Sequence, residues 1–160
     1  MRKRPEPTLR ARALQCLARR EYSRAELRAK LQGHIQAGAD SEQADSAELD
    51  ALLDDLTARG WLSDERAASQ WVHAKRARLG TQRIAHELRQ KGIAEELIGA
   101  VLPELKASEL EAARQVWQRK FGALPQDAEE KARQVRFMQS RGFDLNVIFQ
   151  VLRLTTCGED

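Results

Sequence analysis

Apolar residues along this chain recur three and four positions apart in one short segment after another, the spacing of helices that each bury a single stripe. Thr8 stands before Leu9, Ala13, Leu14 and Leu17 and predicts a first helix over 9–20, with Leu14, Leu17 and Ala18 as its buried stripe. Ser23-Arg24-Ala25-Glu26 is a capping box, in which the serine oxygen and the glutamate carboxylate each take a backbone N–H that the first turn leaves unpaired. Leu27 and Leu31 follow on one face of that helix. Residues 33–46, with two Gly, two Ser and three acids, read as a loop. Beyond it, Leu49, Leu52, Leu53 and Leu56 form a third helical stripe closed by Arg59-Gly60, where glycine suits the left-handed cap.

The pattern then repeats its vocabulary. Ser63-Asp64-Glu65 opens a fourth helix with Ala67, Trp71 and Ala74 on its apolar side and Leu79-Gly80 at its end. Ile84 and Leu88 mark a fifth, stopped by Lys91-Gly92; Leu97, Val101 and Leu102 mark a sixth, ended or bent at Pro103. Ser108-Glu109-Leu110-Glu111 reads as a second capping box, opening a seventh helix with Ala113, Val116, Trp117 and Phe121 that breaks at Gly122 and Pro125. Val135, Phe137 and Met138 pack an eighth, ended by Arg141-Gly142, and Asp144 caps a ninth bearing Val147, Ile148, Val151 and Leu152.

Nine short helices fall into three sets of three. Leu52-Leu53, Val101-Leu102 and Val151-Leu152 recur at intervals of 49 and 50, and Leu88 to Ile93 matches Met138 to Phe143 at an interval of 50. Such self-similarity is the mark of a repeat architecture. The expected fold is all-α, an elongated or curved tandem array of three three-helix repeats. Its divisions are a basic flexible N-terminus over 1–8 and a first repeat over 9–62 that carries the acidic insertion 33–46. A second repeat follows over 63–106, a third over 107–154, and a tail over 155–160. Composition agrees: Ala, Leu, Arg, Glu and Lys make 86 of 160 residues, whereas Ile, Val and Thr make 16, which disfavours a sheet protein. There is no apolar run of membrane-spanning length, the basic start lacks the apolar stretch of a secretory signal, and Cys16 and Cys157 are too few for a disulfide framework. The expected address is the cytoplasm.

Net charge is only +3, but it is unevenly placed: +7 over residues 1–31, −8 over 40–65 and +6 over 66–92. Arg outnumbers Lys 20 to 7, which suits forked hydrogen bonds to phosphate or carboxylate. Catalytic chemistry finds little support. His34, His73 and His86 are scattered, neither Cys stands near them at metal-ligand spacing, no phosphate-cradling loop is present, and Asp54-Asp55 point apart on a helix. We therefore expect no enzymatic activity, no metal and no cofactor.

Five ordered strings resemble the RecX family, small bacterial regulators of the RecA recombinase. They are the segment from Ala13-Leu14 through Leu17-Ala18-Arg19-Arg20-Glu21-Tyr22-Ser23-Arg24-Ala25-Glu26-Leu27-Arg28; Arg59-Gly60-Trp61-Leu62-Ser63-Asp64-Glu65-Arg66-Ala67-Ala68; Gln82-Arg83-Ile84-Ala85-His86-Glu87-Leu88-Arg89-Gln90-Lys91-Gly92-Ile93; Lys120-Phe121-Gly122; and Arg136-Phe137-Met138-Gln139-Ser140-Arg141-Gly142-Phe143. The resemblance spans residues 9–154, and the loop around 33–45 is longer than the family pattern. It implies a crescent of tandem three-helix repeats that binds in the groove of the RecA filament on single-stranded DNA. There it restrains strand exchange, ATP hydrolysis and the co-protease function of the SOS response.

The candidate contacts to that filament or its DNA are Lys75, Arg76, Arg78, Arg83, Arg89 and Lys91 in the middle repeat and Arg133, Arg136 and Arg141 in the last. Each is also the kind of residue that merely keeps a helix surface wet, and Arg83 and Glu87, four apart, are spaced to pair. Contacts to single-stranded DNA are expected to be weak and confined to its backbone. Trp71 and Trp117 on apolar faces, and Trp61 at a corner, read as packed, with Tyr22 stapling a turn and Cys16 filling the core. The chain is expected to act as a monomer with no membrane partner. The competing reading is a helix-turn-helix regulator of duplex DNA using Thr81 to Val101, against which the segment 93–100 is acidic and carries no basic residue.

Overall fold

The structure, a computed structural model, describes residues 5–36 and 42–156. The N-terminal and C-terminal readings for residues 1–4 and 157–160, Cys157 among them, and the loop reading for residues 37–41 lie outside these. All regular elements among the described residues are helices: α1 (Leu9–Arg19), α2 (Arg24–Gln36), α3 (Glu42–Ala58), α4 (Asp64–Lys75), α5 (Thr81–Gln90), α6 (Glu95–Lys120), α7 (Ala128–Ser140) and α8 (Leu145–Thr156). The fold is all-α. The chain divides into two compact units, one reaching to Ala68 and including Lys91–Ile93, the other comprising Ser69–Gln90 and the chain from Ala94.

In the N-terminal unit, Thr8 Oγ1 accepts from Ala11 N (3.1 Å) and starts α1. The α1 stripe is Leu9, Ala13, Cys16 and Leu17. Leu14 is 37% exposed and Ala18 is exposed, so the predicted stripe is rotated by about a quarter turn. The reason is that Ala13, with no side-chain bulk beyond Cβ, allows close approach to Leu27, Leu31, Leu49, Leu53 and Leu56 in the shared core. The capping box forms: Ser23 Oγ accepts from Glu26 N (3.1 Å), and Ser23 N donates back to Glu26 Oε1 (3.4 Å). Ser23 Oγ also donates to the Lys91 carbonyl (2.6 Å), and Lys91 Nζ lies 3.2 Å from Glu26. Among the described residues the expected loop over 33–46 is helix, since α2 continues to Gln36 and α3 begins at Glu42. Gln36, Glu42, Gln43 and Ala44 in the described part are good helix formers.

In the C-terminal unit one helix replaces two. The chain was expected to break or bend at Pro103 and restart at Ser108, yet α6 runs without interruption from Glu95 to Lys120. Pro103 and Gly99 are both exposed, so the carbonyl that proline leaves unpaired at Gly99 meets water. Burial of Ile98 before the proline and of Leu105, Ala112, Ala113 and Trp117 after it fixes both halves. The expected cap at Ser108 is therefore mid-helix; its hydroxyl donates to the carbonyls of Glu104 and Leu105 (both 3.3 Å). Eight helices thus stand where nine were expected among the described residues.

Ala113, Trp117, Met138, Phe143, Ile148 and Val151 form the core of α6, α7 and α8. Trp117 Nε1 donates to Gln134 Oε1 (2.9 Å), and Asp144 Oδ1 caps α8 by accepting from Asn146 N (2.8 Å). The turn at Gly142 adopts φ 88°, and Arg83 occupies the space a side chain there would need. Two other aromatic expectations change. Trp71 is half-buried rather than packed, with Nε1 donating to Glu87 Oε2 (2.9 Å), and Ala74 beside it is exposed. Trp61 is 45% exposed, because the guanidinium groups of Arg10 and Arg59 cover it in place of apolar neighbours.

Candidate functional site

The nine basic residues singled out above meet different fates. Arg76 Nη1 bonds Glu104 (2.9 Å), and Arg83 Nε bonds Glu87 (3.2 Å), the predicted helix pair, while its Nη1 donates to the Ser140 carbonyl (3.1 Å). Arg89 bonds Glu95 at 2.6 Å, which raises the arginine and holds the Glu95 carboxyl below its ordinary value. Lys91 lies in the N-terminal unit against Glu26. Lys75 Nζ sits 4.8 Å from the Trp71 ring centroid. Arg133 and Arg136 are exposed along α7. Four of the nine are thereby matched to carboxylates and carry little unspent charge.

Arg78 and Arg141 are placed differently. They meet in one groove of about 280 Å³, lined also by Val116, Arg119, Lys120 and Phe137. Each lining cation has a local reason to be there. Arg119 and Lys120 fill the last turn of α6, and Arg141 is the C-cap of α7, positions where positive charge offsets the exposed carbonyl end of a helix. Arg78 stands in the turn after α4, whose neighbour Gly80 donates its N–H to the Arg141 carbonyl (2.8 Å) and so fixes the two turns together. Phe137 meets Phe121 edge to face at 5.5 Å. Lys120 Nζ and Arg141 Cζ each lie 5.2 Å from the Phe137 centroid.

None of the four cations in this groove is within ion-pair distance of a carboxylate among the described residues. Two grooves of about 620 and 610 Å³ are larger; the first sets two cations, Lys131 and Arg153, and Thr156 against Leu124, Pro125, Phe149 and Leu152, and the second contains Glu109 and Asp144. The arrangement of the smaller groove is suited to an oxyanion: forked donors, a point charge, and apolar walls that lower the local dielectric. Arg119 and Lys120 are not among the contacts expected from the sequence, which reads Phe137 as packing its helix. The one signal available was the Lys120-Phe121-Gly122 step, a basic residue ahead of a helix-ending glycine like those at 59–60, 91–92 and 141–142.

Among the described residues, no group of three or more His, Cys, Asp or Glu could hold a metal ion, and no helix is long and apolar enough to cross a membrane.

Known proteins resemble this chain along most of its length. Residues 63–102 match the second three-helix domain of RecX and residues 107–152 match the third. Regulatory protein RecX of Leptothrix cholodnii is 49% identical over 94% of this chain and 91% of its own; that of Ralstonia nicotianae is 44% identical over 91% and 87%. Regulatory protein RecX of Herbaspirillum seropedicae is 43% identical over 98% and 97%. The crystal structure of RecX from Lactobacillus salivarius superposes with a TM-score of 0.70 at 16% identity, covering 91% of this chain and 92% of its own. A second crystal structure of a regulatory protein RecX gives 0.71 at 19%, covering 89% and 70%.

Proposed function

The chain belongs to the RecX family of regulatory proteins, and from that premise we propose that it is a non-enzymatic regulator that binds the RecA filament on single-stranded DNA and restrains its recombinase, ATPase and co-protease activities. It would act in the cytoplasm as a monomer, modulating DNA repair and the SOS response. The observation that carries this reading is likeness along almost the whole length of relatives that are themselves named as regulators.

The mechanism needs no catalytic group. Three tandem modules, taken as 9–62, 63–106 and 107–154, offer separate weak contacts to successive filament subunits, and contacts joined in one chain add through effective concentration. A protein so bound shifts the filament only by its differential affinity for the filament's states, so inhibition follows from favouring a state that exchanges strands poorly. Basic side chains with no internal carboxylate partner are the natural points of contact with DNA or with acidic filament surface.

The test is titration of the purified protein into RecA turning over ATP on single-stranded DNA, with strand exchange measured in parallel. Both should fall as the protein approaches the recombinase in concentration. If neither changes over a titration that passes well beyond equimolar, the reading is wrong.

A further inference from the structure

We infer that the groove formed by Arg78, Arg119, Lys120 and Arg141 over Phe137 is a phosphodiester site, which holds adjacent phosphates of one nucleic-acid strand by its backbone alone. The inference rests on the regulator reading for the setting in which a strand meets the groove, but its chemistry stands on the groove itself.

Three observations carry it. First, four like charges converge on one concavity with no carboxylate in ion-pair reach among the described residues, whereas Arg76, Arg83, Arg89 and Lys91 each have one. All four are exposed, and three stand at the carbonyl ends of α6 and α7; a ligand carrying closely spaced negative charges supplies the full counter-charge that no side chain there does. Second, every polar side chain lining the groove is a donor, and none is an acceptor. A peptide would bring backbone N–H groups that find no side-chain acceptor there. A deoxyribose-phosphate backbone brings acceptors only, so it matches the groove without leaving a donor unpaired. Third, the Phe137 ring already carries the Lys120 ammonium and the Arg141 guanidinium. Among the described residues, Phe137 is the one aromatic residue lining the groove, and no Asn, Gln, Asp or Glu lines it to read a base edge. Binding is therefore independent of sequence and strongly dependent on salt.

The experiment uses the full chain without recombinase and a fluorescein-labelled oligo-dT of about twenty nucleotides, longer than one small site requires, followed by anisotropy over a series of salt concentrations. Replacing both exposed α6 cations, Arg119→Gln with Lys120→Gln, should weaken binding about tenfold and flatten the log–log salt dependence by about 1.4, since each phosphate contact to a single strand contributes about 0.7. Arg114→Gln, a change of the same kind on the same helix at a residue 3.9 Å from Glu111, should stay within about twofold of the parent. Far-ultraviolet dichroism and the melting temperature establish that the double variant is folded. Should it not be, Arg78→Gln in the turn outside the helices takes its place.

Unchanged affinity and salt slope in a folded groove variant overturn the inference. So does competition by poly-glutamate equal to that of unlabelled oligo-dT at matched charge, which would assign the groove to an acidic protein, and so does tighter binding of an equal-length duplex. A groove variant that loses oligonucleotide binding but still inhibits RecA supports the site and leaves the regulator reading standing. Oligonucleotide binding at the groove by a protein that leaves RecA turnover unchanged removes the regulator reading and not the site.

Discussion

Glu109, buried in the middle of α6, holds Thr81 at the start of α5 by two bonds: Thr81 N donates to Oε1 (3.3 Å) and Thr81 Oγ1 donates to Oε2 (3.1 Å). Asp144 N adds a third donor to the same carboxylate at 3.4 Å. One acidic side chain thus satisfies the first turn of α5 and the turn before α8 together. Removing it leaves three donors without a partner, two of them on backbone that cannot move away.

Glu109→Ala should therefore lower unfolding free energy by about 2–4 kcal/mol, the scale for stripping a buried charged acceptor from several donors. Glu109→Gln keeps an acceptor oxygen and should cost about 1 kcal/mol. Urea denaturation followed by far-ultraviolet dichroism reads both, and an alanine variant with the parent midpoint would show that Glu109 does not join these turns.

Acid should weaken the N-terminal unit through Glu26. Burial alone pushes this carboxyl up, but bonds from Arg20 (2.8 Å) and Lys91 (3.2 Å) and from the Ser23 N–H outweigh it, so its value lies below the ordinary 4.5. A carboxyl depressed by folding contributes its full stability above the unfolded value and loses it as pH falls through the folded one. The melting temperature should hold down to about pH 4.5 and decline below it, with Glu26→Gln declining less steeply. Parallel acid limbs for variant and parent would contradict this.

Two glycines should respond to alanine with opposite signs. Gly142 sits at φ 88° with Arg83 where a side chain would go, so Gly142→Ala should destabilise by more than about 2 kcal/mol. Gly33 lies exposed within α2 with open space around it, so Gly33→Ala should stabilise by about 0.5–1 kcal/mol. Melting curves of the two single variants decide it; a neutral Gly142→Ala would mean the turn relaxes.

What could be read in the sequence was local chemistry. The caps at Ser23 and Asp144, the helix starts at Thr8 and Ser63 and the pair Arg83–Glu87 involve partners within four residues, and all form. Pro103 and Ser108 were misread for the same reason: viewed locally they end and begin a helix, while the burial of Ile98, Leu105 and Ala112, seven apart on a common face, joins the two halves. The exposure of Trp61 was missed because nothing nearby in sequence announces that Arg10 crosses from α1 to meet it. The groove was half legible. Arg78 and Arg141 were chosen for their charge, but Arg119 and Lys120 join them because the end of α6 lies beside the α7 cap, a tertiary proximity that no local spacing announces.

The continuity of α6 ties together what the chain's periodicity separates. The RecX-like segments 63–102 and 107–152 are distinct along the backbone, yet the residues between them, 103–106, are the interior of a single rod. A protease nick or deletion placed at that seam would not release a tidy fragment. It would saw through the beam that supports α5 at one end and α8 at the other; the severed C-terminal piece would keep the residues around Trp117 but leave the buried Glu109 carboxylate without Thr81. Shortened forms of this protein are thus better cut elsewhere, and swapping its terminal module for another's means transplanting the whole of α6.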